Sequence, residues 1–249
     1  MLKHQTSAVA RFTARRVAGL LLAALPLLSS LQAAAVTISP IMVELSPQKK
    51  VASIRLLNDS TEAMTFQAET LSWQQTGNED RYAQTQELLV APTIVRIAPG
   101  ATQIFRVTLR GPASTEAERA YRLVLEDVTA ETSPQAGVVK FRFRHNLPLF
   151  ATPRQPAVVS SQWRRCAAPA DKACVQLENR GNRRVRLSGV AVEGPGWRQE
   201  IEGGTTVLAG ASRQWLFDLK AGQPAALRVI ATSDIGELLP AVDLPRPVP

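Results

Sequence analysis

The chain has 249 residues, 29 Lys+Arg against 21 Asp+Glu for a formal net charge of +8, and only 5% aromatic residues. That length accommodates one or two ordinary domains. It offers no basic stripe interleaved with aromatics of the kind nucleic acid requires: the densest run, "NRGNRRVRLSGV" (179–190), has no aromatic and reads as a turn entering a strand with its arginines in solvent.

In chain order, residues 1–35 come first. Lys3, Arg11, Arg15 and Arg16 precede the apolar run "VAGLLLAALPLL" and the small-residue stretch "SSLQAAA". This is the pattern of a cleaved signal peptide with a mature start near Val36. The run is too short to cross about 30 Å of hydrocarbon as a helix, and Pro26 interrupts it. The Arg15-Arg16 pair sits in a loose context, so ordinary Sec export is expected rather than a twin-arginine route. Cleavage removes four of the basic residues and none of the acidic ones, which lowers the formal net charge to +4.

Strands follow almost without interruption. "VASIRLLND" (51–59) ends in an Asn-Asp turn, and "MTFQAETLSW" sets Met64, Phe66 and Ala68 opposite Thr65, Gln67 and Glu69. After "QTGNED" comes "LLVAPTIVRIAPGATQIFRVTLR", in which "APGA" separates two apolar segments and Phe105, Val107 and Leu109 share a face. "ASTEAERA" is one helical turn or a loop, and "RAYRLVLEDV" places Tyr121, Leu123 and Leu125 on one side. "GVVKFRFRHNLPLF" (137–150) alternates throughout, with Val139, Phe141, Phe143, Leu147 and Leu149 opposite Lys140, Arg142, Arg144 and Asn146. Side chains alternate faces along a strand, so this segment has one apolar and one basic face. The alternation leaves open whether the two phenylalanines face their own core.

Roughly seven short strands between residues 36 and 152, punctuated by Gly, Pro and Asn, predict an antiparallel sandwich of immunoglobulin type. "LFATPRQPAV" (149–158), with two prolines, marks the expected domain boundary. Beyond it "VVSSQW", "ACVQLEN", "RVRLSGVAV", "RQWLFDL" and "ALRVIAT" predict a second sandwich of five to seven strands, with no convincing sequence repeat between the halves. The expected domains are 1–35, a cleaved signal; 36–152; and 153–249.

Cys166 and Cys174 are separated by "AAPADKA", and two strands flank them. In an exported chain an even pair favours a disulfide, here stapling a hairpin. The mature chain retains one histidine, His145, so no His-rich metal site can be assembled, and no nucleophile motif or phosphate-cradling glycine loop is present. No enzyme activity, cofactor or metal is expected. An Ig-like structural or adhesin module of the cell surface is one reading of such a chain.

A set of motifs in order points elsewhere: the opening "ISPIMVELSP", "IRLLNDS", "ETLSW", "LLVAPTIVRIAPGATQIFRVTLR", "ERAYRLVLEDV" and "FRFRHNLPLF", then "VQLENRGNRRVRLSGV", "VLAGASRQW" and "DIGELLPAVDLP". Over essentially its whole mature length the chain resembles the periplasmic chaperones of the chaperone–usher pathway, the PapD-like family. The "LPLF" and "GELLP" segments look closer to divergent, archaic-type members.

That resemblance implies two Ig-like domains in a boomerang, located in the periplasm, which hold pilus or fimbrial subunits and deliver them to an outer-membrane usher. The mature chain is not expected to insert in a membrane. A subunit of this kind is a sandwich missing a strand, and the chaperone's strand fills the gap. Matched on "LPLF", the lent residues are Val139, Phe141 and Phe143, with main-chain bonds giving affinity and alternate pockets giving specificity.

Typical members grip the subunit's terminal carboxylate with an Arg on the first strand and a Lys on the lending strand. Here Met42 and Pro148 stand at those positions, and neither can donate. Arg144 and Arg122 are the nearest basic substitutes. The resemblance also places Pro92 near a family cis proline, and Arg106 and Glu118 at positions that brace the two domains. The third brace position is Thr152, which cannot ion-pair.

Overall fold

Two buried asparagines, Asn58 and Asn179, organise matching corners of two separate sandwiches. The computed structural model describes residues 36–111, 116–130, 141–219, 226–233 and 238–245. The expected signal peptide and Val139 lie outside them, as do residues 113–115 of "ASTEAERA". All elements among the described residues are strands.

The first sandwich pairs two sheets. One has the order β1 (Val36–Ser39), β3 (Val51–Asn58), β8 (Thr102–Leu109), β6 (Leu88–Ala91). The other has the order β2 (Val43–Leu45), β10 (Arg144–Ala151), β9 (Arg119–Asp127), β4 (Met64–Thr76), β5 (Glu79–Gln84), with β7 (Ile94–Ile97) also on β4. The opening segment therefore changes sheets, bending at a cis Ser39–Pro40 bond between an antiparallel pairing with β3 and a parallel one with β10. The Ala91–Pro92 bond is also cis.

Alternation decides which side chains meet. Phe66, Phe105, Val107, Tyr121, Leu123, Leu125 and Leu149 are buried together between the sheets.

The second sandwich packs β11 (Ser161–Arg165), β12 (Lys172–Asn179) and β15 (Ser212–Asp218) against a sheet ordered β14 (Trp197–Val207), β13 (Val185–Gly194), β16 (Ala226–Ser233), β17 (Leu238–Pro245). Trp163, Val175, Leu177, Val192, Trp215 and Phe217 lie in its core. The Cys166–Cys174 disulfide closes the β11–β12 hairpin.

The two asparagine corners are built alike. The Asn58 side-chain amide donates to the carbonyls of Glu62 (2.8 Å) and Ile97 (3.1 Å), and its Oδ1 accepts from the Ser60 N–H (3.0 Å). The Asn179 amide donates to Arg183 (2.7 Å) and Val207 (3.1 Å), and its Oδ1 accepts from the Gly181 N–H (3.0 Å). Each backbone then pairs with a Gly-Ala turn, Gly100-Ala101 or Gly210-Ala211, whose glycine has a positive φ (68° and 73°) that side-chain-bearing residues avoid. The two halves do share a local repeat, too short to register as sequence similarity.

Candidate functional site

Among the described residues, β10 is paired along one edge by β9 and on the other edge only at its end, by β2. The Asp127 N–H donates to the Phe143 carbonyl (3.0 Å), whereas the Thr152 N–H donates to the Leu45 carbonyl (2.9 Å). Successive residues of a strand aim their polar groups at opposite edges. Odd-numbered residues here therefore face β9, and even-numbered ones face the side where β2 lies. β2 reaches only Leu149–Ala151, so among the described residues no strand covers the outer edge at Arg144, Asn146 and Pro148. Pro148 has no N–H to donate, and the open edge is where a strand proline is tolerated.

The odd-numbered side chains share the core face. Leu147 is 8% exposed and Leu149 fully buried, but Phe143 is 41% exposed and Phe141 71%. Among the described residues of the expected strand over 137–150, the ladder runs from Arg144 onward. Phe141–Phe143 run past the core's rim, and residues 137–140 lie outside the described residues. Phe143 stacks on His145 with ring centroids 6.1 Å apart, and burial pushes that imidazole below its usual value.

The other face of the same sheet carries rows fixed by strand register. Phe150, Ala120, Trp73 and Tyr82 form one row; Pro148, Arg122 and Leu71 the next; Asn146, Val124 and Glu69 a third; Arg144, Glu126 and Gln67 a fourth. Arg144 is bound to Glu69 (3.0 Å) and Glu126 (3.6 Å). Arg122 lies directly across from Pro148, its guanidinium carbon 3.8 Å over the Trp73 ring centroid and 5.7 Å from that of Tyr82. The register therefore sets the two basic substitutes several residues apart along the sheet.

The first row meets the second sandwich. Trp73, Ala120 and Phe150 pack with Leu208, flanked by Met42 and Ala211. On one side of this contact Glu118 takes Arg184 Nη1 at 2.6 Å and the Arg184 backbone N–H at 3.0 Å. Arg184 also pairs with Glu44 and lies 3.8 Å over the Phe150 ring. Its side chain is only 11% exposed, which corrects the reading of this arginine as a solvent residue, whereas Arg180 of the same run is exposed. A planar cation can enter such a place because two carboxylates and an aromatic face offset its desolvation.

Glu118 is therefore a junction residue, its carboxyl raised by burial against the opposing pull of Arg184. Arg106 is exposed on β8, in the other sheet, and makes no ion pair among the described residues. Thr152 bonds instead to the Leu45 carbonyl (3.2 Å). At Met42 the thioether sulfur lies 3.4 Å from Arg186 Nη1 and 3.9 Å from Arg184 Nη2, so two second-sandwich cations crowd the place where a family arginine was expected.

On the other side, side-chain amides pair with backbone as a strand would. Gln75 donates to the Thr206 carbonyl and accepts from the Leu208 N–H, both at 2.9 Å. Asn78 donates to the Gln214 carbonyl (3.0 Å) and accepts its N–H (2.7 Å), and Arg213 binds Asp80 at 2.6 Å. None of Gln75, Asn78, Asp80 or Arg213 carries a sequence signal, because each reaches across the junction to a partner more than a hundred residues away.

Residues 35–157 match the model of the pili and flagellar-assembly chaperone family, PapD N-terminal domain. The chain belongs to the PapD-like chaperones. Solved structures agree in fold across both sandwiches. The chaperone–tip adhesin subunit complex of the archaic Csu pili of Acinetobacter baumannii is 20% identical with a TM-score of 0.63, covering 85% of this chain and 98% of that one. The chaperone of the Salmonella enterica SafA pilin–SafB complex is 15% identical with a TM-score of 0.57, covering 86% and 97%. The Pseudomonas aeruginosa CupB2 chaperone is 19% identical with a TM-score of 0.54, covering 85% and 100%. No curated sequence matches the chain. As a PapD-like chaperone it has the two Ig-like domains that the sequence predicted, and its family is one of chaperones rather than of enzymes.

Proposed function

We propose that this PapD-like chaperone captures pilus subunits in the periplasm by lending them the segment that leads into β10, and passes them to an outer-membrane usher. The observation that carries this reading is the continuity of one apolar face from buried Leu147 and Leu149 to exposed Phe143 and Phe141, beside an edge that no strand covers among the described residues. Free apolar rings next to unpaired main-chain groups are what strand addition needs. Each phenylalanine buries about 150–250 Å² when covered, on the order of 4–6 kcal/mol gross at about 25 cal/mol per Å², an upper bound before ordering costs. Val139, two residues before Phe141, continues the same parity.

The client strand would lie in line with β2 and end near Pro148 and Met42. Arg122 is the basic side chain across from Pro148 and is our choice for the client's terminal carboxylate. Arg144 is the weaker choice, because Glu69 and Glu126 already bind it. We further propose cleavage of residues 1–35, domains of 36–152 and 153–249, and an archaic-type place in the family, supported by the absence of the Arg–Lys pair. The test is co-expression with a pilin subunit and isolation from periplasm. Wild type should co-purify with the subunit, and a Phe141→Ser/Phe143→Ser chain should not. Equal recovery with both would remove the strand-lending reading.

A further inference from the structure

His145 is the one histidine of the chain beyond residues 1–35, and it stands where the first sandwich stops. Two residues after it on the same face Leu147 is buried, and two residues before it Phe143 is 41% exposed. Phe143 stacks on the imidazole with an interplanar angle of 27°. The Nε2 atom of that imidazole is buried and has no hydrogen-bond partner.

The ring has no charged partner among the described residues either. Register sets Leu125 of β9 and then Ala68 of β4 beside His145. The opposing sheet turns Ile54, Leu56, Phe105 and Val107 inward, and β7 turns Val95 and Ile97 inward, none of which titrates. Asp127 shares the face of Leu125 one step further along, but its carboxylate accepts from the Thr129 N–H (2.9 Å) and hydroxyl. Arg144, Glu126 and Glu69 lie on the opposite face, with Arg144 bound to both carboxylates, and Arg142 donates to the Thr129 carbonyl (3.1 Å). A neutral imidazole leaves one nitrogen bare, whereas an imidazolium carries N–H on both. Protonation therefore puts a donor at Nε2 where no acceptor waits, and burial holds this imidazole below its usual value.

We infer that His145 enters the complex neutral, sealed between the chaperone's core and that of the captured subunit, and that its protonation in acid loosens the hold on the subunit. The inference rests on the strand-lending reading, in which the subunit covers Phe141 and Phe143 on the face that His145 shares. His145 is half-buried in the free chain. Covering the two rings takes the imidazole further from water, where a charge without a partner is costly. The free chain then takes up a proton at pH values where the complex does not. Capture therefore expels a proton and weakens as pH falls through the free chain's titration. One such proton sets a ceiling of about tenfold in affinity per pH unit, and above that range the group has no effect.

A lone histidine gives a direct readout. The full mature chain, isotope-labelled at histidine, is followed by NMR from neutral to mildly acidic pH, free and in complex with the unlabelled pilin subunit that co-purifies with it. The imidazole midpoint should be lower in the complex by about one pH unit or more. The dissociation constant of wild type should rise on acidification below the free midpoint, by up to about tenfold per pH unit. Titration of the subunit's own groups is common to all chains, so the comparison is with His145→Gln and His145→Leu. Whatever their affinity at neutral pH, both should lack the His145 component of the pH dependence. A midpoint unchanged or raised in the complex, or the same pH dependence in wild type and both variants, overturns the proposal. Phe141→Ser/Phe143→Ser should lose capture at every pH. Capture retained by that chain removes the strand-lending reading, whereas an unresponsive His145 beside lost capture removes this inference alone.

Discussion

Phe143 and Leu147 lie on one face of the same extended segment, four residues apart, yet Leu147 is 8% exposed and Phe143 41%. The core of the first sandwich ends between them. On that face Leu147 and Leu149 serve the chaperone's own core, whereas Phe143 and Phe141 are exposed beyond it, with His145 stacked on Phe143.

That division predicts opposite outcomes for similar substitutions. Phe141→Ser with Phe143→Ser should change the unfolding free energy by less than about 1 kcal/mol, as for surface positions. Leu149→Ser, fully buried, should cost about 2–5 kcal/mol as other large core truncations do. Urea unfolding of both variants checks this. A collapse of the double phenylalanine variant would mean that the rings pack inward in solution.

The disulfide is the second point of test. Cys166 and Cys174 are eight residues apart and close the β11–β12 hairpin. A loop that short constrains the unfolded chain by about 2.5 kcal/mol in the chain-entropy account. Cys166→Ser/Cys174→Ser, or wild type under reductant, should lose about that much in urea unfolding, with subunit capture retained because the bond lies in the sandwich that does not carry β10.

The junction makes a third prediction. Arg184→Ala leaves Glu118 buried without its cation and should cost about 3–5 kcal/mol. Glu118→Gln should cost less, about 1 kcal/mol, because Arg184 keeps Glu44 and the Phe150 face. The two should also differ in pH dependence. Burial raises the Glu118 carboxyl above its ordinary 4.5, so the folded chain holds this proton at pH values where the unfolded chain has released it. Stability from this group is then complete below 4.5 and is lost as pH rises through the raised value. Wild type should gain on Glu118→Gln as the solution is acidified toward 4.5, measured as the difference in Tm. A difference that shrinks on acidification would show that attraction to Arg184 outweighs burial.

How much of this is legible in the sequence depends on the range of each interaction. Strand alternation is local, so Phe66, Phe105, Tyr121 and Leu149 take their faces from the sequence pattern alone. Whether a face is covered is not local, and "FRFRHNLPLF" has one parity from Phe141 to Leu149 although the core stops at His145. Arg184 shows the same limit. In "NRGNRRVRL" nothing separates it from its neighbours, and only Glu118, 66 positions earlier, gives it a buried partner. The shared asparagine corner is hidden in the sequence because it consists of one Asn and one Gly-Ala turn in each half. Asn58 and Ala101 are 43 positions apart, Asn179 and Ala211 only 32. A motif so sparse and unevenly spaced leaves no periodicity to detect.

The last prediction uses the edges of β10 rather than its faces. Asn146 and Leu147 are adjacent, but their N–H groups point to opposite sides, Leu147 toward β9 and Asn146 toward the edge that no strand covers among the described residues. Proline removes one donor and adds bulk on the side where that donor pointed. Leu147→Pro should therefore break a ladder bond to β9 inside the sandwich and cost about 3 kcal/mol or more, lowering Tm substantially. Asn146→Pro should leave the fold near wild type, as Pro148 in the same phase already does, and yet prevent subunit capture by removing a main-chain donor that a lent strand would use. Circular dichroism melts and periplasmic co-purification measure the two effects independently. If Asn146→Pro retained a full complement of subunit, client binding would not run through the open edge of β10, and the exposed rings of Phe141 and Phe143 would have to act without main-chain pairing.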